Sequence, residues 1–185
     1  MMCVNPHIST GRINKIRKYL TDSSVKTLVQ SLVTSRMDYC NSVYTCLPAK
    51  IIKKLQYAHN SAARIITKTG KYNHITPVLK ILHWIPINKR AEYKRMVLVF
   101  NSLHHKGPSY ISDILHWYKP ARLLRSQSSS SLVPTNGRSI VINRRLLQGG
   151  CSRAWNNLPE YIRCVKSFSS FKILLKTYYF NISYS

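Results

Sequence analysis

The chain has 185 residues, of which 29 are Lys or Arg and 5 are Asp or Glu, giving a formal net charge of +24. So large a positive field destabilises the compact state unless an anionic partner offsets it, and it points to nucleic acid or an acidic surface. Asp22, Asp38, Glu92, Asp113 and Glu160 stand singly, which leaves no evident carboxylate pair for acid–base or two-metal chemistry.

The hydrophobic share, 44%, is enough for a real core in one domain or at most two. The longest aliphatic-aromatic run, Met96–Phe100, is far short of the roughly 20 apolar residues of a membrane span, so no membrane partner is expected. Met1–Pro6 lacks a basic start followed by an apolar stretch, and an intracellular location, nuclear or cytoplasmic, is the expectation. Arg12, Lys15, Arg17 and Lys18 precede the first acid, and a solvated helix face explains them better than a transit peptide. Cys3, Cys40, Cys46, Cys151 and Cys164 form no Cys-x-x-Cys pair. Even with His59 or His74 added, their spacing matches no zinc knuckle, so reduced thiols and no metal or cofactor are expected.

In chain order, Ile13, Ile16 and Leu20 predict a short first helix. Val25, Leu28, Val29, Leu32, Val33 and Met37 then fall at helical spacing behind the capping run Thr21-Asp22-Ser23-Ser24. Cys40 and Val43 extend the same face. Pro48 suits the first turn of a long helix whose inward stripe is Ile51, Leu55, Ala58, Ala62 and Ile65. Lys50, Lys53, Lys54, Gln56, Arg64 and Lys68 lie mostly off that stripe. Gly70 is expected to stop this helix, and His74 falls in the connector that follows. Thr76-Pro77 opens a short helix, and Pro86 keeps His83–Ile87 from being helical.

A helix from about Asn88 to His105 buries Ala91, Met96, Val99, Phe100 and Leu103. It turns Lys89, Arg90, Lys94 and Arg95 outward, and Gly107-Pro108 ends it. Ser109 caps a further short helix. From Trp117 the run Ser126–Ser131, Pro120, Pro134, Asn136-Gly137 and Gly149-Gly150 break any helical period, with a short strand at Ser139–Ile142 as one reading. Arg122, Arg125, Arg138, Arg144 and Arg145 crowd this stretch, and a guanidinium fork suits phosphate. Order returns near Trp155: Asn156-Asn157-Leu158-Pro159 introduces a helix through Tyr161 and Ile162, and Ser167 leads into Phe168, Phe171, Leu174, Leu175 and Tyr178 at helical spacing. Tyr72, Trp117 and Tyr118 have the chemistry to stack on bases, but packing or a lid over loop surface is the expectation for each. His83 and Trp84 read as a helix-end packing pair.

An ordered series of phrases resembles a known family. Ser35-Arg36-Met37-Asp38-Tyr39-Cys40-Asn41-Ser42, Leu47-Pro48, Leu55-Gln56 and Asn60-Ser61-Ala62-Ala63-Arg64-Ile65-Ile66-Thr67 come first. Tyr72–Lys80, His83-Trp84-Ile85-Pro86-Ile87 with Arg90, Gly107–Asp113, Trp155-Asn156-Asn157-Leu158-Pro159, Ile162-Arg163, and Ser169-Phe171-Lys172 with Leu175-Lys176-Thr177 follow. Together they are similar to the segment downstream of the polymerase palm in LINE-type, non-LTR retrotransposon reverse transcriptases of the chicken-repeat and Jockey kind. Between about Leu132 and Ala154 the chain departs from that pattern, which puts the packing around Trp155 in question.

The resemblance implies a thumb and C-terminal extension without the palm carboxylates or the endonuclease, hence no polymerase chemistry. The fold expected is mainly α: a helical thumb-like bundle over 10–116, a loop-rich basic segment over 117–154 and a C-terminal helical segment over 155–180. The partner expected is RNA or DNA, held through its phosphate backbone, and the palm and fingers of an intact element are a further candidate. Lys50, Lys53, Lys54, Lys68, Lys89, Arg90, Lys94 and Arg95 are the candidate phosphate-facing set, with Arg122 and Arg125 reaching from the loop. A non-functional relic reading frame and an unrelated small basic RNA-binding protein are the alternatives.

Overall fold

A computed structural model of the chain describes residues 6–39, 41–113, 115–118, 130–133 and 150–185. The described chain is mainly helical. Its helices are α1 (Pro6–Ile16), α2 (Asp22–Val29), α3 (Ser35–Asp38), α4 (Ala49–Thr67), α5 (Thr76–Ile81), α6 (Ile87–Leu103), α7 (Ser109–Ser112), α8 (Gly150–Asn156), α9 (Glu160–Arg163) and α10 (Phe168–Tyr184). The chain divides into two compact units, residues 1–91 with 180–185 and residues 92–179. The first boundary lies within α6 and the second within α10, so these units are cut along different lines from the segments 10–116, 117–154 and 155–180.

In the first unit α2 begins as its capping run requires: the Thr21 hydroxyl accepts the Ser24 backbone N–H at 3.2 Å. A wider turn over Gln30–Thr34 joins α2 to α3, and Val25, Val29, Val33 and Met37 are all buried along this run. Asp38 ends the helix because Tyr39 turns extended, and the chain re-enters as a tight turn over Asn41–Cys46. That break changes the helical register, so Val43, expected on the buried face, is 52% exposed.

α4 is the central helix of this unit. Ala58, Ala62, Ile65 and Ile66 pack against Ile13, Val25, Val29 and Ile87, and the small alanine side chains let α4 approach its neighbours closely. Ile51 departs from its predicted place. It lies in the first turn of α4, about 100° from the centre of the solvent face, and is 43% exposed. Lys68, not Gly70, ends the helix: it adopts the left-handed conformation at φ 56° and its N–H closes on the Arg64 carbonyl. α5 starts from Ile75 with proline in its first turn, and Thr76 makes no side-chain cap. The Gln56 side-chain oxygen accepts the Ile87 N–H at 2.8 Å, which fixes where α6 begins. Trp84 rests on the His59 ring at 4.7 Å, His83 stacks on Phe180 at 5.6 Å, and the Tyr184 hydroxyl donates to the Trp84 carbonyl.

The second unit is built around Phe100, Trp155 and Phe171, with Phe171 stacked on Phe100 at 4.2 Å and on Trp155 at 5.9 Å. Trp155 is fully buried and donates its indole N–H to the Ser130 carbonyl at 2.9 Å. Asn156 brackets Leu132, accepting its N–H and donating to its carbonyl, both at 2.8 Å. Arg163 adds a bond to the Ser131 hydroxyl at 2.9 Å. The Trp155-Asn156 phrase therefore pins residues 130–133, and the packing around Trp155 is intact among the described residues. Gly107 is required by space: a Cβ there would lie 2.6 Å from the Ser102 hydroxyl and 3.1 Å from the Ser102 backbone. The proposed strand at Ser139–Ile142, with Arg138, Arg144 and Arg145, lies outside the described residues.

Candidate nucleic-acid interface

The solvent face of α4 follows directly from its sequence. At 100° per residue, Lys50, Lys53, Lys54, Tyr57, Ser61, Arg64 and Lys68 fall within about 60° of one line, opposite the buried alanine face. Lys50, Lys53, Lys54 and Lys68 are exposed, and Tyr57 is 67% exposed among them. From Lys50 to Arg64 the stripe runs about 21 Å, the rise of about six nucleotides along one strand of a duplex.

At its C-terminal end the stripe enters an open groove of about 580 Å³ whose lining includes Arg17, Arg64, Lys68 and Lys71. Both arginines are fixed by backbone carbonyls. Arg64 donates to Gly70 and to Asn73, the latter at 2.8 Å. Arg17 donates to Ile65 at 3.0 Å and to Leu20 at 3.1 Å, and its remaining nitrogen meets the Asp22 carboxylate. Asp22 also pairs with Lys68 at 3.3 Å. The hydrogen bond from Arg17, and after it that from Lys68, holds the Asp22 carboxyl below the usual carboxylate range.

The other expected contacts are placed differently. Lys89 and Arg90 are half-buried on the first turn of α6. Arg90 forms a two-pronged pair with both oxygens of Asp38, across 52 residues of sequence, so its fork is already engaged within the unit. In the second unit Lys94 is exposed, while Arg95 is half-buried with its Nε enclosed and without a hydrogen-bond partner. Arg122 and Arg125 lie outside the described residues. Arg17, Arg64 and Lys71 were absent from the expected set. Arg64 carried a legible signal, since it shares the helical line of Lys50 and Lys53; the placement of Arg17 and Lys71 depends on tertiary packing.

Among the aromatic residues Tyr72 departs from expectation. Tyr72 does not pack: it is 94% exposed, with the Lys71 ammonium 5.9 Å from its ring. Trp117 and Tyr118 are 41% and 49% exposed. Tyr19, two residues beyond Arg17, is 77% exposed with the Lys18 ammonium 4.8 Å from its ring.

Among the described residues no group of three or more His, Cys, Asp or Glu is placed to hold a metal ion. His59, considered as a ligand on sequence grounds, is buried on α4 against Trp84 with neither ring nitrogen hydrogen-bonded. Burial, aided by the Arg90 charge, pushes its pKa down to about 4. His74 is exposed, and Cys3 and Cys40 lie outside the described residues. No described helix is long and apolar enough to cross a membrane. No family model, characterised protein or solved structure matches the chain.

Proposed function

We propose that this chain is a segment of a LINE-type, non-LTR retrotransposon reverse transcriptase from downstream of the palm, and that it holds RNA or DNA by its phosphates without acting on it chemically. The ordered phrases support the family. One observation carries the binding mode: the exposed lysines along one side of α4, with Lys50, Lys53 and Lys54 near its start and Lys68 at its C-terminal cap. A net charge of +24 makes an anionic polymer the partner best able to relieve the repulsion of the folded chain. Two of the five acids, Asp22 and Asp38, are engaged by arginine, and no two acids adjoin in sequence, which supports a non-catalytic reading.

The test is binding of the full chain to duplex DNA and single-stranded RNA across a salt series. Neutralising Lys50, Lys53 and Lys54 together should reduce the slope of log affinity against log salt on duplex DNA by about 2.7, at about 0.9 per phosphate contact. An unchanged slope rejects the stripe as the contact surface.

The exposure of Val43 and Ile51 in the first unit favours a second role, docking against the palm and fingers of an intact element. In that case the isolated chain should aggregate, and nucleic acid should not raise its melting temperature.

A further inference from the structure

We propose that the groove bounded by α1, α4 and the turn through Lys71 is a seat for the backbone of single-stranded nucleic acid, with Tyr19 and Tyr72 as platforms for unpaired bases. This rests on the nucleic-acid reading above and adds to it a location and a strand preference.

The charge balance comes first. Arg17, Arg64, Lys68 and Lys71 line the groove, and the carboxylate paired with any of them is Asp22, leaving three positive charges in excess. Salt bridges at this degree of exposure hold their partners weakly, so Lys68 is available to a phosphate.

The donors come second. A guanidinium carries five N–H groups. Arg64 uses two of them on Gly70 and Asn73, and Arg17 uses three on Ile65, Leu20 and Asp22. That leaves three N–H groups on Arg64 for an incoming anion, on a side chain already held in place; the Arg17 side chain is 11% exposed and paired with Asp22, so it fixes the groove wall rather than offering free donors. Little side-chain freedom remains to be lost when phosphate oxygens bind.

The aromatic rings decide between ligands. A groove of about 580 Å³ is far larger than one phosphate. Neither ring lines the groove itself: Tyr72 follows the lining residue Lys71, whose ammonium is 5.9 Å from its ring, and Tyr19 follows the lining residue Arg17 by two residues; both rings are largely in water. An exposed ring beside a basic groove is the arrangement by which single strands are held, because a base must leave its partner before it can stack. A paired duplex gains the phosphate contacts and loses the stacking.

The experiment uses the full chain, a dye-labelled uridine oligonucleotide and a labelled DNA duplex. Expected results are a loss of single-strand affinity of roughly 5- to 150-fold for each ring removed, and so at least about 25-fold in the double variant Tyr19→Ala/Tyr72→Ala. Tyr19→Phe/Tyr72→Phe should keep wild-type affinity, and duplex binding should be the same in all three. Lys68→Asn with Lys71→Gln should reduce the single-strand salt slope by about 1.4, at about 0.7 per contact. All four substituted positions are exposed, and a thermal melt beside each titration shows that the fold is kept. If the alanine double variant binds the oligonucleotide as the wild type does, or the lysine variant keeps its slope, the groove is not the seat, although the nucleic-acid reading stands. If the wild type binds neither probe in a salt-dependent way, both readings fall.

Discussion

Replacing His59 with leucine separates a burial effect from everything else that acid does to this chain. The His59 ring is 1% exposed, lies 4.7 Å from the Trp84 ring, and has no hydrogen-bond partner on either nitrogen. Its pKa falls from 6.5 to about 4 because charging it inside the core is unfavourable, and the nearby Arg90 adds to the effect while Asp38 opposes it. Above about pH 6.5 the ring is neutral in both folded and unfolded chains, and stability does not depend on its titration. As the pH falls from 6.5 toward 4, the unfolded chain takes up a proton that the folded chain refuses, and stability is lost. Over the full window that loss is about 3 kcal/mol, from about 1.4 kcal/mol per pH unit. Leucine removes the titration. It also removes a donor and an acceptor that are buried without partners, offset by the lost ring contact with Trp84, for a net gain of about 1 kcal/mol at neutral pH. Urea unfolding of both proteins, followed by far-ultraviolet circular dichroism between about pH 7.5 and pH 4.5, reads the difference directly. Carboxylates such as Asp22 affect both proteins alike and largely cancel. The leucine variant should gain a growing advantage as the pH falls. A difference that stays constant with pH would refute the reasoning, because it would mean that folded His59 titrates as freely as it does in the unfolded chain.

Gly107→Ala should destabilise the second unit by about 1–3 kcal/mol, because the new methyl meets Ser102 backbone that has no rotamer in which to move away; loss of amide protection along α6 beyond Glu92 would show it. Lys68→Gly should raise stability by about 0.5–1 kcal/mol, since glycine occupies the left-handed position at φ 56° without Cβ strain, and the same substitution should weaken nucleic-acid binding; a melt and a salt titration on one sample test both halves. Arg90→Gln should lower stability by about 1 kcal/mol through loss of the Asp38 pair, which is more than a third exposed at the carboxylate, and should leave the salt slope of binding unchanged. A reduced slope in that variant would return Arg90 to the phosphate-facing set.

The sequence patterns located helices better than they located helix ends. Most buried positions in α2, α3, α4 and α6 follow from apolar spacing, with Leu32 and Ile51 exposed against it, and the Thr21 cap is visible as a short polar run before α2. The ends depend on single residues whose backbone choice composition does not reveal. Gly70 is the natural terminator of α4, yet Lys68 takes the left-handed conformation two residues earlier. Val43 continues the period of α2 on paper, but the extended Tyr39 resets the register before the pattern reaches it. Glu92 illustrates the same limit for domain organisation: the first boundary between compact units falls inside an unbroken helix, where neither proline, glycine nor a polar run marks it.

The candidate interface divides in the same way, and the division says what kind of cation a surface needs. A stripe on one helix is a matter of spacing, so Lys50, Lys53, Lys54 and Lys68 could be grouped from sequence. A grouped charge is still not an available one. Arg90 and Lys94 are neighbours on α6 with equal formal charge, yet Asp38, 52 residues earlier in the chain than Arg90, takes up the Arg90 fork and leaves Lys94 exposed. The converse holds at the groove. Arg64 spends donors on backbone carbonyls, which looks like a purely structural role, but carbonyls are neutral and cancel no charge; Arg17 adds the Asp22 carboxylate to its carbonyl partners. An arginine tied to carbonyls is thus held rigid and remains fully cationic, whereas one tied to a carboxylate is rigid and neutralised. By that criterion the proposed interface should depend more on Arg64 than on Arg90, and Arg64→Gln should reduce the salt slope of binding where Arg90→Gln does not.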